Sequence, residues 1–261
     1  MARTSIVVLL TDFGYQDSYV AQMKGVLHSR IPGAQLEDLT HGVALGDVRA
    51  AAFHLEQTYA QFPPATVFLA VVDPGVGGAR RALALRADNR YFVGPDNGLF
   101  GFLASSQVEQ AVELKPAVMG LEPPCPTFHG RDLFAKAAAR LASGTSILKL
   151  GEVTSPALVR LEIPLPRVEH GHARASVLLE DRFGNAITTL ARDMTPPDAT
   201  RISARCRDAD FPLVRTYEEA APGAFLCLWG SSNRLELAVR QGSAVEHLGI
   251  QRDDAVEVTW L

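Results

Sequence analysis

The sequence predicts an α/β N-terminal domain, a layered sheet with helices on both faces, followed by a small all-β barrel domain. Up to residue 150, apolar runs typical of buried strands alternate with segments of helical apolar spacing. After Gly151, short β-rich runs separated by turn residues replace this alternation. The chain has 261 residues, 47% of them apolar, which suffices for one large domain or two smaller ones.

The elements of the N-terminal domain follow from the spacing of apolar residues. Ser5–Leu10 is short and mostly apolar, and it predicts a strand. Ser18–Arg30 and Gly46–Phe62 each place apolar residues on one helical face, and the second helix ends at Pro63-Pro64. The remaining elements are three strands and an alanine-rich helix: Thr66–Val72, Ala82–Ala87, Tyr91–Val93 and Asp132–Ala142. This alternation predicts an open sheet between two helical layers.

Short strands divided by turns predict the C-terminal barrel or sandwich. The predicted strands are Ala173–Leu179, Ala186–Leu190, Ala224–Trp229, Leu235–Val239 and Ala255–Trp260. Prolines and glycines punctuate the chain between residues 156 and 171. We therefore place the boundary near residues 160 to 170, with domains 1–165 and 166–261.

Composition excludes several classes of partner. The 25 basic and 29 acidic residues leave a net charge of -4, and a pI near 6.0 argues against nucleic acid or an anionic membrane surface. No segment approaches the roughly 20 apolar residues of a membrane span. The run Ile6–Leu10 near the start is short for a signal peptide and has no clear cleavage site. We expect a cytoplasmic protein.

Cysteine and histidine spacing predicts no metal site. Cys125, Cys206 and Cys227 are scattered and form no C-x-x-C pair, so neither zinc nor a disulfide framework is expected. His170 and His172 lie in the linker flanked by proline and glycine. Cys227 falls in an apolar run and is expected to be a small buried hydrophobe.

The most informative segment follows the strand Thr66–Val72. It places Asp73 before a proline and three glycines, and then Arg80 and Arg81. Buried strands deliver side chains to a crevice at their carboxyl ends. A carboxylate there needs a cation, which an arginine can supply, and the glycines let a ligand approach the backbone. The segment predicts a site, although Asp-Pro-Gly is also common in plain surface turns.

Three further segments combine polar groups with a glycine at the end of a regular element: Thr11–Gly14, Thr127–Asp132 and Asp181–Asn185. A carboxylate after a strand, here Asp12, can accept both hydroxyls of a ribose. Neither common phosphate cradle, G-x-G-x-x-G or G-x-x-x-x-G-K-[ST], is present. A nucleoside ligand without phosphate fits this absence.

Taken together, these segments resemble the S-adenosyl-L-methionine (SAM) hydroxide adenosyltransferases, also called adenosine-forming SAM hydrolases, which are relatives of the fluorinases and chlorinases. The matching motifs are Thr11–Gly14, Asp73–Gly77 with Arg80-Arg81, Pro95–Leu99, Phe128–Asp132 and Asp181–Asn185. Each motif is weak alone, but five in the same order from Leu10 to about Ala244 are highly specific.

The resemblance implies a subunit with an α/β domain and a β-barrel, and a homotrimer with each active site between the N-terminal domain of one subunit and the C-terminal domain of the next. It implies the reaction of SAM with water to give adenosine and L-methionine, with SAM as substrate and no cofactor. The hydrolytic members carry an Asp-Arg-His trio, which falls here on Asp73, Arg80 and His129. The halogenating relatives lack this trio and have an aromatic residue at the position of Asp73.

The resemblance also implies substrate-binding residues. Asp12 matches the carboxylate that takes the ribose hydroxyls. Asn185 matches a residue that contacts the methionine part and is flanked by Asp181 and Phe183. Ser231 matches a serine near the substrate carboxylate and amine, but relatives often have Asn-Ser-x-Gly here, where this chain has Gly-Ser-Ser-Asn.

The chemistry requires positioning more than acid catalysis, because a sulfonium already makes methionine a good leaving group. Placing one water in line with the C5′–S bond can supply several kcal/mol, up to about 7–11. Asp73 can accept a hydrogen bond from that water, and His129 can accept or relay its proton. Because pairing with Arg80 weakens Asp73 as a base, we favour orientation and electrostatic stabilisation of a hydroxide-like nucleophile.

Two other functions stay open at this point. One is a SAM-dependent 5′-halogenase, against which the intact trio argues. The other is a SAM or adenosine binding protein with negligible turnover. Two residues outside the trio also have open roles: Arg81 is interpreted as structural, through an ion pair, and His41 either lines the crevice or is an ordinary loop histidine.

Overall fold

A computed structural model describes residues 5–261, which divide into two units, the first ending at Leu161 and the second beginning at Glu162. The predicted boundary, between residues 165 and 166, lies slightly further along the chain. Residues 1–4 lie outside the described range. No helix in the described part of the chain is long and apolar enough to cross a membrane.

A seven-stranded mixed sheet forms the middle of the first unit. Its strands are β1 Ile6–Thr11, β2 Gln35–Thr40, β3 Val67–Val71, β4 Ala82–Ala87, β5 Arg90–Pro95, β6 Val108–Leu114 and β7 Gly151–Val153. They lie in the order β2-β1-β3-β5-β4-β6-β7. The first four in that order are parallel, and β4, β6 and β7 each run antiparallel to their neighbours.

Helices cover both faces of this sheet, as predicted. They are α1 Tyr19–Arg30, α2 Val48–Thr58 and α3 Ala135–Ala142; a 3-10 turn, Tyr59–Gln61, follows α2 and a π-helical turn, Gly130–Phe134, precedes α3. Alternate residues of β1 enter two different cores. Val7 packs with Leu27 of α1 and with α3, whereas Val8 packs with Leu55 of α2. The two helical layers therefore bury opposite faces of one sheet.

Three strands of this sheet, β2, β6 and β7, were not predicted from the sequence. β2 carries Glu37 and Asp38 at the edge of the sheet and is mostly exposed or half-buried, so its pattern lacks an apolar face. In β6, glutamates and a glutamine interrupt the valines. β7 has only three residues. Pairing with neighbours, and not local apolarity, holds these segments as strands.

The second unit is a nearly closed antiparallel sheet, which confirms the predicted all-β barrel. Its strands are β8 Arg167–Glu169, β9 His172–Glu180, β10 Ala186–Ala191, β11 Ser203–Cys206, β12 Ala209–Pro212, β13 Phe225–Trp229, β14 Arg234–Val239 and β15 Ala255–Thr259. The order is β12-β11-β15-β9-β10-β14-β13, with β8 paired to β9. One short helix, α4 Ala244–Leu248, follows β14.

The barrel closes where β12 approaches β13. The Val214 N–H donates to the Cys227 carbonyl at 2.9 Å, and Leu213 bridges Cys227. The Cys227 side chain is fully buried in the barrel core, and burial raises the pKa of its thiol to about 12. Cys227 is therefore an unreactive core residue, as its sequence context indicated.

Candidate active site

Two carboxylates follow neighbouring parallel strands of the first unit. Thr11, the last residue of β1, lies opposite Val71, the last residue of β3. Asp12 directly follows β1, and Asp73 follows β3 after one more buried residue. The shared register brings both carboxylates to the carboxyl-terminal edge of the sheet, where ligands bind in open α/β folds.

Asp73, Arg80 and His129 form one hydrogen-bonded trio. Arg80 Nε lies 3.1 Å from both Asp73 oxygens, and Arg80 Nη2 lies 2.5 Å from Oδ2. The side chains of Arg80 and Asp73 are 11% and 4% exposed, so solvent screens this pair weakly. Arg80 Nη2 also reaches His129 Nδ1 at 2.9 Å. Its guanidinium lies 5.4 Å from the centre of the Phe134 ring, which supports it from the π-helical turn.

The bond to Arg80 decides the protonation of His129. An arginine only donates, so the Nδ1 atom of His129 must accept and the ring proton lies on Nε2. Burial and the neighbouring Arg80 charge lower the pKa of His129 from 6.5, which keeps the ring neutral at pH 7. His129 thus offers an Nε2–H donor. It sits at the start of the π-helical turn, a distortion common at functional sites.

Two glycines let the loops of this edge pack closely. A Cβ atom on Gly77, which has φ +77°, would lie 2.6 Å from the Pro126 carbonyl oxygen, so the loop after β3 rests on the loop before His129. The Asp12 Oδ2 atom accepts from the Gly46 N–H at 2.8 Å, and Gly46 packs against Pro74. These contacts tie Asp12 to the same loop that carries Asp73.

Arg81 points away from the trio and has the structural role that the sequence indicated. Its Nη2 lies 2.6 Å from Asp96 Oδ2 and 2.6 Å from the Ala157 carbonyl oxygen. Its Nη1 donates to Thr154 Oγ1 and to the Ser155 carbonyl. Arg81 and Asp96 therefore hold the chain segment that follows β7.

A second polar cluster lies in the barrel unit. The Asp181 carboxylate accepts from the backbone N–H groups of Phe183 and Asn185 at 2.8 and 2.9 Å, and from Asn185 Nδ2 at 2.9 Å. Asn185 Nδ2 also lies 3.3 Å from the Tyr217 hydroxyl. Gly184 in this turn has φ +81°, and a Cβ at this position would overlap Ser243. The turn therefore requires a glycine here. Asp181 and Asn185 are thus brought together.

Two members of this cluster, Tyr217 and Glu236, were not predicted from the sequence. Glu236 lies on β14 and is only 7% exposed. Burial first, and then the Asp181 charge, raise the pKa of Glu236 to about 6. Its carboxyl fills the space beside Gly230, where a Cβ would lie 1.7 Å from Oε1. An isolated glutamate in an apolar strand was the signal available in the sequence.

A cavity of about 560 Å³ adjoins this cluster. Its lining residues are Phe183, Asn185, Tyr217, Glu218, Val239, Arg240, Gln241 and Gly242. The Phe183 side chain is 78% exposed and offers an apolar face at this cavity. Ser231 does not line the cavity; it is exposed in the turn between β13 and β14.

Comparisons with known sequences identify the family. The profile of the SAM hydroxide adenosyltransferase N-terminal domain matches residues 7–151, and that of the C-terminal domain matches residues 175–257. The chain belongs to the SAM hydroxide adenosyltransferase family. The resemblance inferred from the five motifs is confirmed, and the order of the two matched domains agrees with the α/β unit and the barrel.

Relatives with assigned names refine this result. A protein of Salinispora arenicola named (R)-S-adenosyl-L-methionine hydrolase is 42% identical, and the match covers 99% of both chains. One of the same name from Thermus thermophilus is 43% identical over 94% of this chain and 96% of its own length. A fluorinase of an Actinoplanes species is 27% identical, covering 82% of this chain and 84% of its own length. The named hydrolases are thus more similar than this fluorinase.

Solved structures share the fold. The crystal structure of an uncharacterized conserved protein from Thermotoga maritima has a TM-score of 0.87 at 32% identity, covering 97% of this chain and 99% of its own. That of a conserved hypothetical protein from Thermus thermophilus has a TM-score of 0.81 at 39% identity, covering 99% and 100%. Among residues 5–261, no group of three or more histidine, cysteine or acidic side chains is arranged to hold a metal ion.

Proposed function

We propose that this protein hydrolyses SAM to adenosine and L-methionine. One observation carries the proposal: the Asp73 carboxylate, clamped by Arg80 beside His129, lies at the same sheet edge as Asp12. Asp12 is suited to the ribose hydroxyls, and Asp73 to a water near C5′ of that ribose. The names of the relatives that are 40–43% identical over nearly the whole chain support the same reaction.

Asp73 orients the attacking water and stabilises the charge that develops on it. As the oxygen–C5′ bond forms and the C5′–S bond breaks, positive charge moves from the sulfonium to the water oxygen. A fixed carboxylate hydrogen-bonded to that water stabilises this charge. Methionine leaves as a neutral thioether, and the water releases one proton to solvent, so no general acid is needed.

His129 orients the nucleophile and does not act as its base. Its Nδ1 atom is occupied by Arg80, and its Nε2 carries the ring proton. The Nε2–H can donate to one lone pair of the water while Asp73 accepts one of its protons, which leaves the second lone pair for C5′. Electrostatic positioning, favoured from the sequence, is kept in this proposal. Two of the expectations are replaced: His129 does not take the proton, because Arg80 occupies its Nδ1 atom, and the nucleophile is a neutral water instead of a hydroxide-like one, because the Asp73 carboxylate stabilises positive charge.

We assign the methionine part of the substrate to the barrel unit. Asp181, Phe183 and Asn185 share one turn beside the cavity, and we propose that they contact the methionine part of SAM. Ser231 is proposed to contact the substrate carboxylate and amine. Its support is the family resemblance, since it lies outside the lining of that cavity.

The sulfonium sulfur is a stereocentre, and we propose that the substrate is the (R) epimer. This rests on the names of the curated relatives, which specify (R)-SAM. The two epimers exchange the directions of the methyl and aminocarboxypropyl groups relative to the ribose. A site that holds both ribose and amino acid can therefore align only one of them for in-line attack.

The proposed assembly rests on the family resemblance. We propose a homotrimer in which each active site combines the α/β unit of one subunit with the barrel unit of the next. SAM is a substrate in this scheme, and the reaction uses no cofactor. We also propose a cytoplasmic location.

The test is incubation of the purified protein with the separated (R) and (S) epimers of SAM in oxygen-18 water, with and without chloride. We expect adenosine labelled at the 5′ oxygen, formed faster from the (R) epimer and unaffected by chloride. A 5′-chlorinated nucleoside would instead indicate a halogenase, which the Asp73 charge disfavours because it repels a halide. Bound SAM or adenosine without product would indicate a binding protein.

A further inference from the structure

His41 is a buried histidine that the proposed reaction does not use. It follows β2, and its side chain is fully buried, with 0% exposed. Its Nδ1 atom lies 2.7 Å from Thr11 Oγ1, and its Nε2 atom lies 3.1 Å from Asp38 Oδ1. Both ring nitrogens are therefore engaged, one of them with the residue that precedes Asp12.

These hydrogen bonds form a chain with one consistent direction. The Phe13 N–H donates to Thr11 Oγ1 at 3.2 Å, which leaves the Thr11 hydroxyl proton free to donate to His41 Nδ1. The ring proton is then on Nε2 and donates to Asp38 Oδ1. Every donor and acceptor from the Phe13 backbone to the Asp38 carboxylate is matched in this single tautomer.

The far end of the chain is held by charge. Lys24 Nζ lies 2.7 Å from Asp38 Oδ2, and the Tyr15 hydroxyl donates to the same oxygen at 3.0 Å. Burial opposes ionisation of Asp38, but hydrogen bonds from Lys24, His41 and Tyr15 lower its pKa overall. Burial lowers the pKa of His41, against the effect of Asp38, so the ring stays neutral at pH 7. Neutral His41 is the state that the chain requires.

The near end of the chain surrounds Asp12. Thr11, which precedes Asp12, supplies the hydroxyl of the chain. Phe13, which follows Asp12, donates its N–H to the oxygen of that hydroxyl. The next residue, Gly14, donates its N–H to the His41 carbonyl at 2.8 Å. The Phe13 ring packs 6.0 Å from the ring of Phe128, the neighbour of His129. The chain thus holds the peptide on both sides of Asp12.

We infer that Thr11 and His41 are positioning residues for ribose recognition: their hydrogen-bond chain to Asp38 holds Asp12 where it accepts the ribose hydroxyls. This inference rests on the proposed function, since it assigns Asp12 to the ribose of SAM and adenosine. Without the Thr11 hydroxyl, the Phe13 N–H and the buried His41 Nδ1 lose their partner, and the backbone around Asp12 is no longer held in one conformation.

The experiment measures adenosine affinity by calorimetry for wild type, Thr11→Val and Thr11→Ser. Valine matches the shape of threonine without the hydroxyl, and serine keeps the hydroxyl without the methyl. We expect Thr11→Val to weaken adenosine binding about fivefold to tenfold, as for one hydrogen bond. Thr11→Ser should bind within about twofold of wild type.

A second ligand separates positioning from general damage. The ligand 2′,3′-dideoxyadenosine lacks the 2′ and 3′ hydroxyls. Thr11→Val and wild type should bind it equally, because Asp12 has no hydroxyl from which to accept a hydrogen bond. With SAM, Thr11→Val should raise KM and leave kcat nearly unchanged. Asp38→Ala, which removes the acceptor of the His41 Nε2–H at the half-exposed end of the chain, tests the same idea if Thr11→Val does not fold.

Each contrary outcome has a definite meaning. Wild-type affinity for adenosine in both Thr11→Val and Asp38→Ala would overturn the inference. An equal loss for adenosine and the dideoxy ligand would also overturn it, since the defect would lie outside the contact with Asp12. If wild type itself bound neither adenosine nor SAM, the proposed function would fail first, and the inference with it.

Discussion

Arg80 and Arg81 are adjacent in the chain but hold carboxylates in different places. Arg80 forms hydrogen bonds to Asp73 and His129. Arg81 forms hydrogen bonds to Asp96 and to the segment after β7. Both aspartate side chains are nearly buried, at 4% and 3% exposed. The chain therefore contains a matched pair of arginine–aspartate contacts, only one of which is proposed to reach the substrate.

Asp73→Asn should lower kcat for SAM by at least about 100-fold, because an amide no longer stabilises the positive charge on the attacking water. SAM affinity should stay within a few-fold of wild type, since Asp73 contacts the water and not the substrate. Single-turnover rates and calorimetry measure the two effects. The matched control is Asp96→Asn, which should alter stability and leave kcat near wild type. Weakened binding with normal turnover at saturation would refute this role of Asp73.

Glu236 makes the stability of the ligand-free protein depend on pH. Burial raises the pKa of Glu236 in the folded protein from 4.5 to about 6. The stabilisation that this raised pKa gives the folded state is therefore fully present below pH 4.5 and is lost as the pH rises through about 6. That difference corresponds to about 2 kcal/mol. The unfolding free energy of Glu236→Gln, relative to that of wild type, should therefore be about 2 kcal/mol higher at pH 7.5 than at pH 4.5. Urea unfolding at several pH values measures this gain, and parallel pH profiles would contradict it.

At the scale of elements, a side-chain clamp fixes the segment that ends the first unit. Arg81 bonds to Thr154, Ser155 and Ala157, and Asp96 Oδ1 accepts the Val159 N–H at 3.0 Å. This segment has no regular structure after β7. Its position therefore depends on side-chain hydrogen bonds that a strand or helix would not need.

Arg81→Lys should loosen this segment, because lysine keeps the charge but loses the planar fork that bonds several acceptors. We expect unfolding free energy to fall by about 1–3 kcal/mol and the Val159 amide to exchange faster with deuterium. Turnover per folded molecule should be retained. The control is Arg86→Lys, whose half-exposed ion pair with Glu109 should contribute less than about 1 kcal/mol. Equal losses in both variants would contradict the clamp.

At the scale of the whole molecule, the proposed site residues are divided between two units. Asp12 and the trio belong to the α/β unit, while Asp181, Phe183, Asn185 and Ser231 belong to the barrel. Neither set includes groups for every part of SAM. The proposed trimer completes each site with the barrel of a neighbouring subunit, which is a testable statement about subunit composition.

Mixing two inactive variants tests this arrangement. Asp73→Asn disables the α/β side of a site, and Asp181→Asn disables the barrel side. If sites combine different subunits, trimers reassembled from an equal mixture should have about a quarter of their sites intact. Light scattering should give the mass of a trimer. No recovery of activity in verified mixed trimers would place both sides of the site in one subunit.

The sequence was sufficient for the fold class, the family and the list of candidate residues. Apolar periodicity located most core strands and helices, because burial of one face imposes a period of 2 or 3.6. Edge and short strands such as β2 and β7 were missed because their neighbours, and not their own residues, make them strands. Polar residues next to glycines at strand ends marked the candidate sites, since catalytic groups concentrate on such loops.

Only the tertiary structure decided which of these residues meet and where their protons lie. The contact between Arg80 and His129 joins residues far apart in the chain and determines which ring nitrogen carries the proton. Burial gives Glu236 its raised pKa and makes His41 part of a chain beside Asp12. The physical reason is the same in each case: protonation and hydrogen-bond direction depend on neighbours brought together by folding and on exclusion of water, and local sequence specifies neither.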